Sequence, residues 1–171
     1  MIYTITLNPS IDFYVELDEF KKGKINSVKQ TDFFPGGKGI NISIILKYLK
    51  TESICLGFTG GPYGNMVIDS LNKIGVDNSF SNIKDNTRQN IKIRSVEESD
   101  LNSKGPFISN IELNNFILKL DMIKKTDYVI ISGSAPKFEK IDFFEMILEK
   151  LKKNGPRIFI DLSGEVLKKS I

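Results

Sequence analysis

Four polar, glycine-rich segments stand out in a chain of 171 residues. They are Leu7-Asn8-Pro9-Ser10-Ile11-Asp12, Pro35-Gly36-Gly37-Lys38-Gly39-Ile40-Asn41, Gly57-Phe58-Thr59-Gly60-Gly61 and Ser132-Gly133-Ser134-Ala135-Pro136. Gly36-Gly37-Lys38-Gly39 runs directly into a helical pattern. Glycines let a ligand approach backbone N–H groups closely, and a helix N-terminus favours an anion or a polarised oxygen. Lys38 adds a point charge; a tight turn with a solvent-facing lysine fits the same residues. The spacing is neither a P-loop nor a dinucleotide fingerprint, because neither glycine register is complete. Asp12 could accept hydrogen bonds from paired sugar hydroxyls or serve as an ordinary turn aspartate. Asn41 could face a ligand or cap the helix. Arg88 is one of three arginines. Its fork suits phosphate, with a plain surface charge as the alternative. Lys24 is one lysine among many, and Ser134 sits in a turn whose hydroxyl and N–H groups could hold phosphate or simply form the turn.

These segments follow predicted strands, at the ends where doubly wound sheets bind ligands. Strands are expected at 1–7, 53–59, 77–83, 127–132 and 157–161, and the last two read as buried. Helices are expected at 40–50, 63–74, 112–124 and 140–153, and the final residues begin another. The first helix carries Ile42, Ile45, Leu46 and Leu49 at one-face spacing. The fourth does the same with Phe144, Ile147, Leu148 and Leu151. Alternation of strand and helix predicts a parallel α/β sheet with right-handed crossovers. Extended pieces near 13–34 and 89–108 break that rhythm. They suggest a small antiparallel sheet over a cleft, with a polar turn at 97–105.

Composition narrows the chemistry. The chain has no histidine, which excludes Ser–His–Asp and Cys–His nucleophile systems within it and any His-ligated metal site. Cys55 is the only cysteine, so no disulfide or paired-cysteine motif exists, and its apolar surroundings suggest a buried core thiol. The net charge of +3 is mild, and the lysines are interspersed with acids. No basic stripe with interleaved aromatics suggests nucleic acid. The apolar runs are too short to span a bilayer, and the N-terminus is no signal peptide. A cytoplasmic protein is expected.

Taken in order, the motifs resemble those of the ribokinase-like carbohydrate kinases, and most closely the 1-phosphofructokinase group. Thr6-Leu7-Asn8-Pro9-Ser10-Ile11-Asp12 is similar to the family's opening strand and sugar-binding aspartate. Residues 35–41 are similar to its glycine signature, and Thr87-Arg88-Gln89-Asn90 to a lid strand with a phosphate-binding arginine. Ile131-Ser132-Gly133-Ser134-Ala135-Pro136 and Asp161-Leu162-Ser163-Gly164-Glu165 complete the series. Ala135 and Lys137 replace the usual Leu and second Pro.

The resemblance implies a ribokinase-like (Rossmann-like) three-layer fold with a mostly parallel sheet and a small β lid. It implies transfer of the ATP γ-phosphoryl to the 6-hydroxyl of fructose 1-phosphate. Asp12 would grip sugar hydroxyls, and Gly36, Gly37, Lys38 and Asn41 would line the sugar site. Arg88, with Lys24 and Ser134, would hold the existing phosphate. A homodimer through the lid is implied. The family's catalytic Gly-Ala-Gly-Asp and its Asn-x-x-Glu element do not occur here. Residues 1–171 therefore read as an incomplete domain, truncated on its C-terminal side, with the base expected beyond Ile171. ATP and Mg2+ would serve the full-length enzyme, with neither bound tightly by this chain, which alone would not turn over. Self-association or disorder is expected near 162–171. Tagatose 6-phosphate kinase, 6-phosphofructokinase and a non-catalytic sugar-phosphate sensor remain alternatives.

Overall fold

The first strand sets the architecture by alternation. In β1 (Ile2–Thr6), Tyr3 and Ile5 point to one side of a sheet and Thr4 and Thr6 to the other, all of them buried. The computed structural model describes residues 1–162. In it β1 lies at the centre of a parallel sheet ordered β12-β10-β1-β4-β5. The partners are β4 (Ser53–Thr59), β10 (Tyr128–Gly133) and β12 (Arg157–Leu162). The expected strand at 77–83 divides into β5 (Asp77–Asn78) and β6 (Ser81–Asn82), which pair with successive parts of β4.

Right-handed crossovers place helices on both faces. α1 (Lys38–Tyr48) and α2 (Gly61–Ile74) cover one face. α3 (Asn110–Lys119) and α4 (Phe143–Asn154) cover the other. On the α3/α4 face, Tyr3, Ile5, Phe58, Val129 and Ile131 meet Leu113, Phe116, Phe144, Ile147 and Leu151. α3 starts at a full capping box, with Ser109 and Glu112 bonding each other's backbone N–H. α4 buries the stripe its sequence predicts.

The stripe of α1 behaves differently. Its buried residues are Gly39, Ile40 and Ser43, while Ile45 and Leu49 are more than half exposed. The face read from periodicity is therefore not the face against the sheet. The face against the sheet sets Ile40 in an apolar cluster with Ile11, Cys55 and Leu71 and turns Ser43 to hydroxyls. Thr4 Oγ1 lies 2.8 Å from Ser43 Oγ, and Ser53 Oγ donates to Ser43 Oγ at 3.0 Å. Thr4 also reaches Cys55 Sγ at 3.5 Å, and Cys55 is fully buried, as its context predicts. β12 also departs from expectation. It is an edge strand here, and Phe159 is 54% exposed rather than buried.

A second sheet, ordered β3-β2-β7-β8, forms a lid. It contains β2 (Ser10–Glu16), β3 (Gln30–Gly36), β7 (Arg88–Arg94) and β8 (Ser99–Asn102). The sheet is mixed rather than antiparallel, because β2 and β7 run parallel. β8 occupies the segment expected as a polar turn; all four of its residues are exposed, so no alternation marks it. One face of the lid is apolar, with Phe13 level with Phe33 and Ile91. Phe13 packs edge-on against Tyr63 of α2, which ties the lid to the main body. β9 (Phe107–Ile108) leaves the lid and pairs in parallel with β11 (Lys137–Phe138). Among the described residues no helix is long and apolar enough to cross a membrane.

Candidate functional site

β1, β2, β7, β10 and the start of α1 converge at one point above the strand ends. They enclose a cavity of about 260 Å³. Thr6, Asn8, Ser10, Asp12, Gly37, Lys38, Asn41, Arg88, Asn90, Gly133 and Ser134 line it. Asp12, Gly37, Lys38, Asn41, Arg88 and Ser134 are thus brought together as the sequence predicts.

Pleating explains the lid's contribution. Ser10 and Asp12 are two apart on β2, and Arg88 and Asn90 two apart on β7, so all four share a face. Ser10 Oγ donates to Asp12 Oδ1 at 2.7 Å, and Asn90 Nδ2 donates to the same oxygen at 2.8 Å. The carboxylate is therefore held by one oxygen, and no described residue bonds the other. Gly36 does not itself line the cavity. It is level with Ser10, and a Cβ there would collide with Ser10 Oγ and come within 2.8 Å of the Asp12 carboxyl carbon. Its role is to leave room for that carboxylate.

Gly37 is the N-cap of α1 with φ of 123°, a conformation L side chains rarely adopt. No side chain caps the helix, so its first N–H groups stay available to a ligand. Asn41 is not the cap; its N–H already bonds Gly37 O within the helix, and its side chain is exposed at the cavity. Lys38 Nζ lies 3.5 Å from Asp161 Oδ2, which also accepts from Ser132 Oγ at 2.8 Å. The Ser132 hydroxyl, then Lys38, hold the Asp161 carboxyl below its ordinary range.

Arg88 is half-buried, and Nε donates to Asn8 O at 3.3 Å. Burial lowers its pKa, opposed by the Asp12 charge. Asn8 Nδ2 donates to Ser134 Oγ at 3.2 Å. Three buried side-chain atoms around the cavity have no partner: Thr6 Oγ1, Asn8 Oδ1 and Asn90 Oδ1. Unpaired buried polar atoms are costly, so three around one cavity point to a polar ligand.

Lys24 is the exception among the expected residues. It lies in the exposed connection between β2 and β3, and it does not line the cavity. Thr6, Asn8, Ser10 and Asn90 were given no individual role from sequence. The spacing Arg88-x-Asn90 on a strand was the signal available for Asn90. Ser163, Gly164 and Glu165 of the last motif, and the expectation about 162–171 beyond Leu162, lie outside the described residues.

The arrangement suits a polyhydroxylated anion. A fixed carboxylate and amides meet hydroxyls, and a guanidinium meets phosphate. Among the described residues no three His, Cys, Asp or Glu gather as a metal site.

Residues 3–170 match the pattern of the pfkB family carbohydrate kinases. The chain is 37% identical over 170 residues to the 1-phosphofructokinase of Bacillus subtilis (strain 168), covering 99% of this chain and 56% of that protein. It is 35% identical over 167 residues to a D-tagatose-1-phosphate kinase of Bacillus licheniformis, covering 98% and 55%. The fold superposes on Escherichia coli phosphofructokinase-2 in complex with fructose-6-phosphate with a TM-score of 0.91 and 27% identity, covering 97% of this chain and 56% of that one. The chain spans about half the length of the curated relatives it matches.

Proposed function

We propose, from the premise that the chain belongs to the pfkB family of carbohydrate kinases, that it forms the acceptor-binding part of an ATP-dependent sugar-phosphate kinase. The acceptor is fructose 1-phosphate, phosphorylated on its 6-hydroxyl to fructose 1,6-bisphosphate. The observation that carries this reading is the cavity itself. Asp12 is fixed by Ser10 and Asn90, Arg88 stands beside it, and Thr6, Asn8 and Asn90 offer unpaired polar atoms.

Asp12 and Asn90 orient sugar hydroxyls; Arg88 and Ser134 take the existing phosphate. The open N-terminus of α1, with Lys38, neutralises charge near the acceptor oxygen. Phosphoryl transfer depends on such positioning and charge stabilisation, with a base to orient the attacking hydroxyl. We place that base and the ATP and Mg2+ sites in the part of the relatives' length that this chain does not span. A homodimer through the lid is supported by exposed Phe33, Phe34 and Leu101 on it. A cytoplasmic setting fits the single buried cysteine.

Calorimetric titration with fructose 1-phosphate tests this reading. Binding is expected, and Asp12→Ala should weaken it at least about tenfold, as expected for a lost charge-assisted hydrogen bond. Binding indifferent to that substitution would sink the assignment. Similarity to a D-tagatose-1-phosphate kinase favours a second acceptor. Parallel titrations with tagatose 1-phosphate and fructose 6-phosphate decide between them.

A further inference from the structure

Asn8 and Ser134 form a partition. Beyond their hydrogen bond the cavity continues into a second cleft of about 500 Å³. Lys104 and Lys137 line it, with Ser103, Gly105 and the far sides of Asn8 and Ser134. No carboxylate lines the cleft. Among the described residues neither lysine forms an ion pair, whereas Lys38 and Lys92 do. We propose that Lys104 and Lys137 form an anion subsite that takes the phosphate monoester of the acceptor from the side opposite Arg88. This rests on the acceptor-site reading above.

Asn8 provides the independent observation. Its side chain is buried, 6% exposed, and its Oδ1 has no partner. A half-turn of the amide preserves the bond to Ser134, whose hydroxyl then donates. Two N–H donors replace the orphaned acceptor, which is what an anion requires. The main-chain oxygen of Asn8 meanwhile anchors Arg88 Nε. A phosphate at Asn8 and Ser134 would thus lie between the cavity that Arg88 lines and the cleft that Lys104 and Lys137 line.

The loops that carry the lysines are held, not loose. Lys137 N donates to Pro106 O at 3.2 Å, and Lys137 is level with Phe107 in the β9–β11 pair. Gly105 closes against Asn8; a Cβ there would collide with Oδ1 and come within 2.8 Å of Nδ2. Neutral sugar hydroxyls need no such cations, but a phosphate monoester carries close to two negative charges at neutral pH. The subsite therefore selects phosphorylated over unphosphorylated sugars.

The test is calorimetry with fructose 1-phosphate at two salt concentrations, with amide NMR of Asn8 and Ser134 as a second readout. Lys104→Gln with Lys137→Gln should raise Kd about tenfold or more and flatten the salt dependence. Lys104→Arg with Lys137→Arg should stay within about threefold of the unmutated chain. A Gln pair that binds as the unmutated chain does, while Arg88→Gln loses binding, overturns the subsite and leaves the acceptor site standing. Equal weakening in the Arg and Gln pairs also overturns it, since charge is then not the cause. Absence of any binding by the unmutated chain in both readouts overturns both readings.

Discussion

The two faces of the parallel sheet are made from different kinds of residue. Toward α3 and α4 the strands present Tyr3, Ile5, Phe58, Val129 and Ile131, which interlock with aromatic and branched side chains. Toward α1 they present Thr4, Thr6, Ser53 and Cys55; Thr4 and Ser53 bond Ser43 through their hydroxyls, while Cys55 joins Ile40, Val67 and Leu71 in a second apolar cluster. Apolar burial is non-directional, whereas hydrogen bonds fix distance and angle. The first face carries the larger apolar core, and the second adds directional bonds to a smaller one. The second sets where α1 begins, and α1 begins at the cavity.

Substitutions on each face test that division. Phe116→Ala, which empties a fully buried ring site, should cost about 3–5 kcal/mol. A urea midpoint shift that leaves fructose 1-phosphate affinity in the folded protein unchanged is expected. Ser43→Ala should cost about 1–3 kcal/mol, because Thr4 and Ser53 lose a shared partner. Unlike the first substitution, it should also weaken ligand binding by displacing α1; unchanged affinity would break the comparison.

The end of the sheet where β1 and β10 begin offers a pH test. Asp127 accepts from Lys124 N at 2.7 Å and pairs with the N-terminal ammonium at 3.0 Å. Burial works against its charge, but these partners together hold the carboxyl below its ordinary value. A depressed folded pKa gives stability that is full above the unfolded value, near 3.9, and lost as pH falls through the folded one. Asp127→Asn should remove that part of the acid transition. An acid limb identical in both proteins counts against it. The smallest effect belongs to α1's outer stripe. Ile45→Lys should change stability by no more than about 0.5 kcal/mol. A larger loss would show that this stripe is covered in solution.

The contrast between α4 and α1 also explains what was legible in the sequence. Both carry an apolar stripe at helical spacing, and only α4 buries it. Periodicity reports a face; it does not report what meets that face. α1 turns Ser43 to the hydroxyls of Thr4 and Ser53 and Ile40 to an apolar cluster with Ile11, Cys55 and Leu71, so its orientation could not be read locally. β8 was missed because Ser99-Asp100-Leu101-Asn102 has no buried side to alternate with. At the site, the chemistry-bearing residues were legible because glycine and proline mark strand ends. Lys24 was not excluded, since residue type alone does not reveal where a long loop leads. Asn90, which joins Ser10 in orienting Asp12, needed the β2–β7 register.

That register also bears on the order in which the molecule is made. Asp12 waits for Asn90, 78 residues later, and Asn8 waits for Ser134, 126 residues later. β1 ends between two strands, β4 and β10, that both follow it in the chain. Contacts of such long sequence separation form slowly, because loop closure precedes any gain. On a ribosome, the β2–β3 hairpin can form early, with its carboxylate bonded by Ser10 but not yet by Asn90. Only when β10 emerges does the nascent chain acquire the wall against which a ligand could be held.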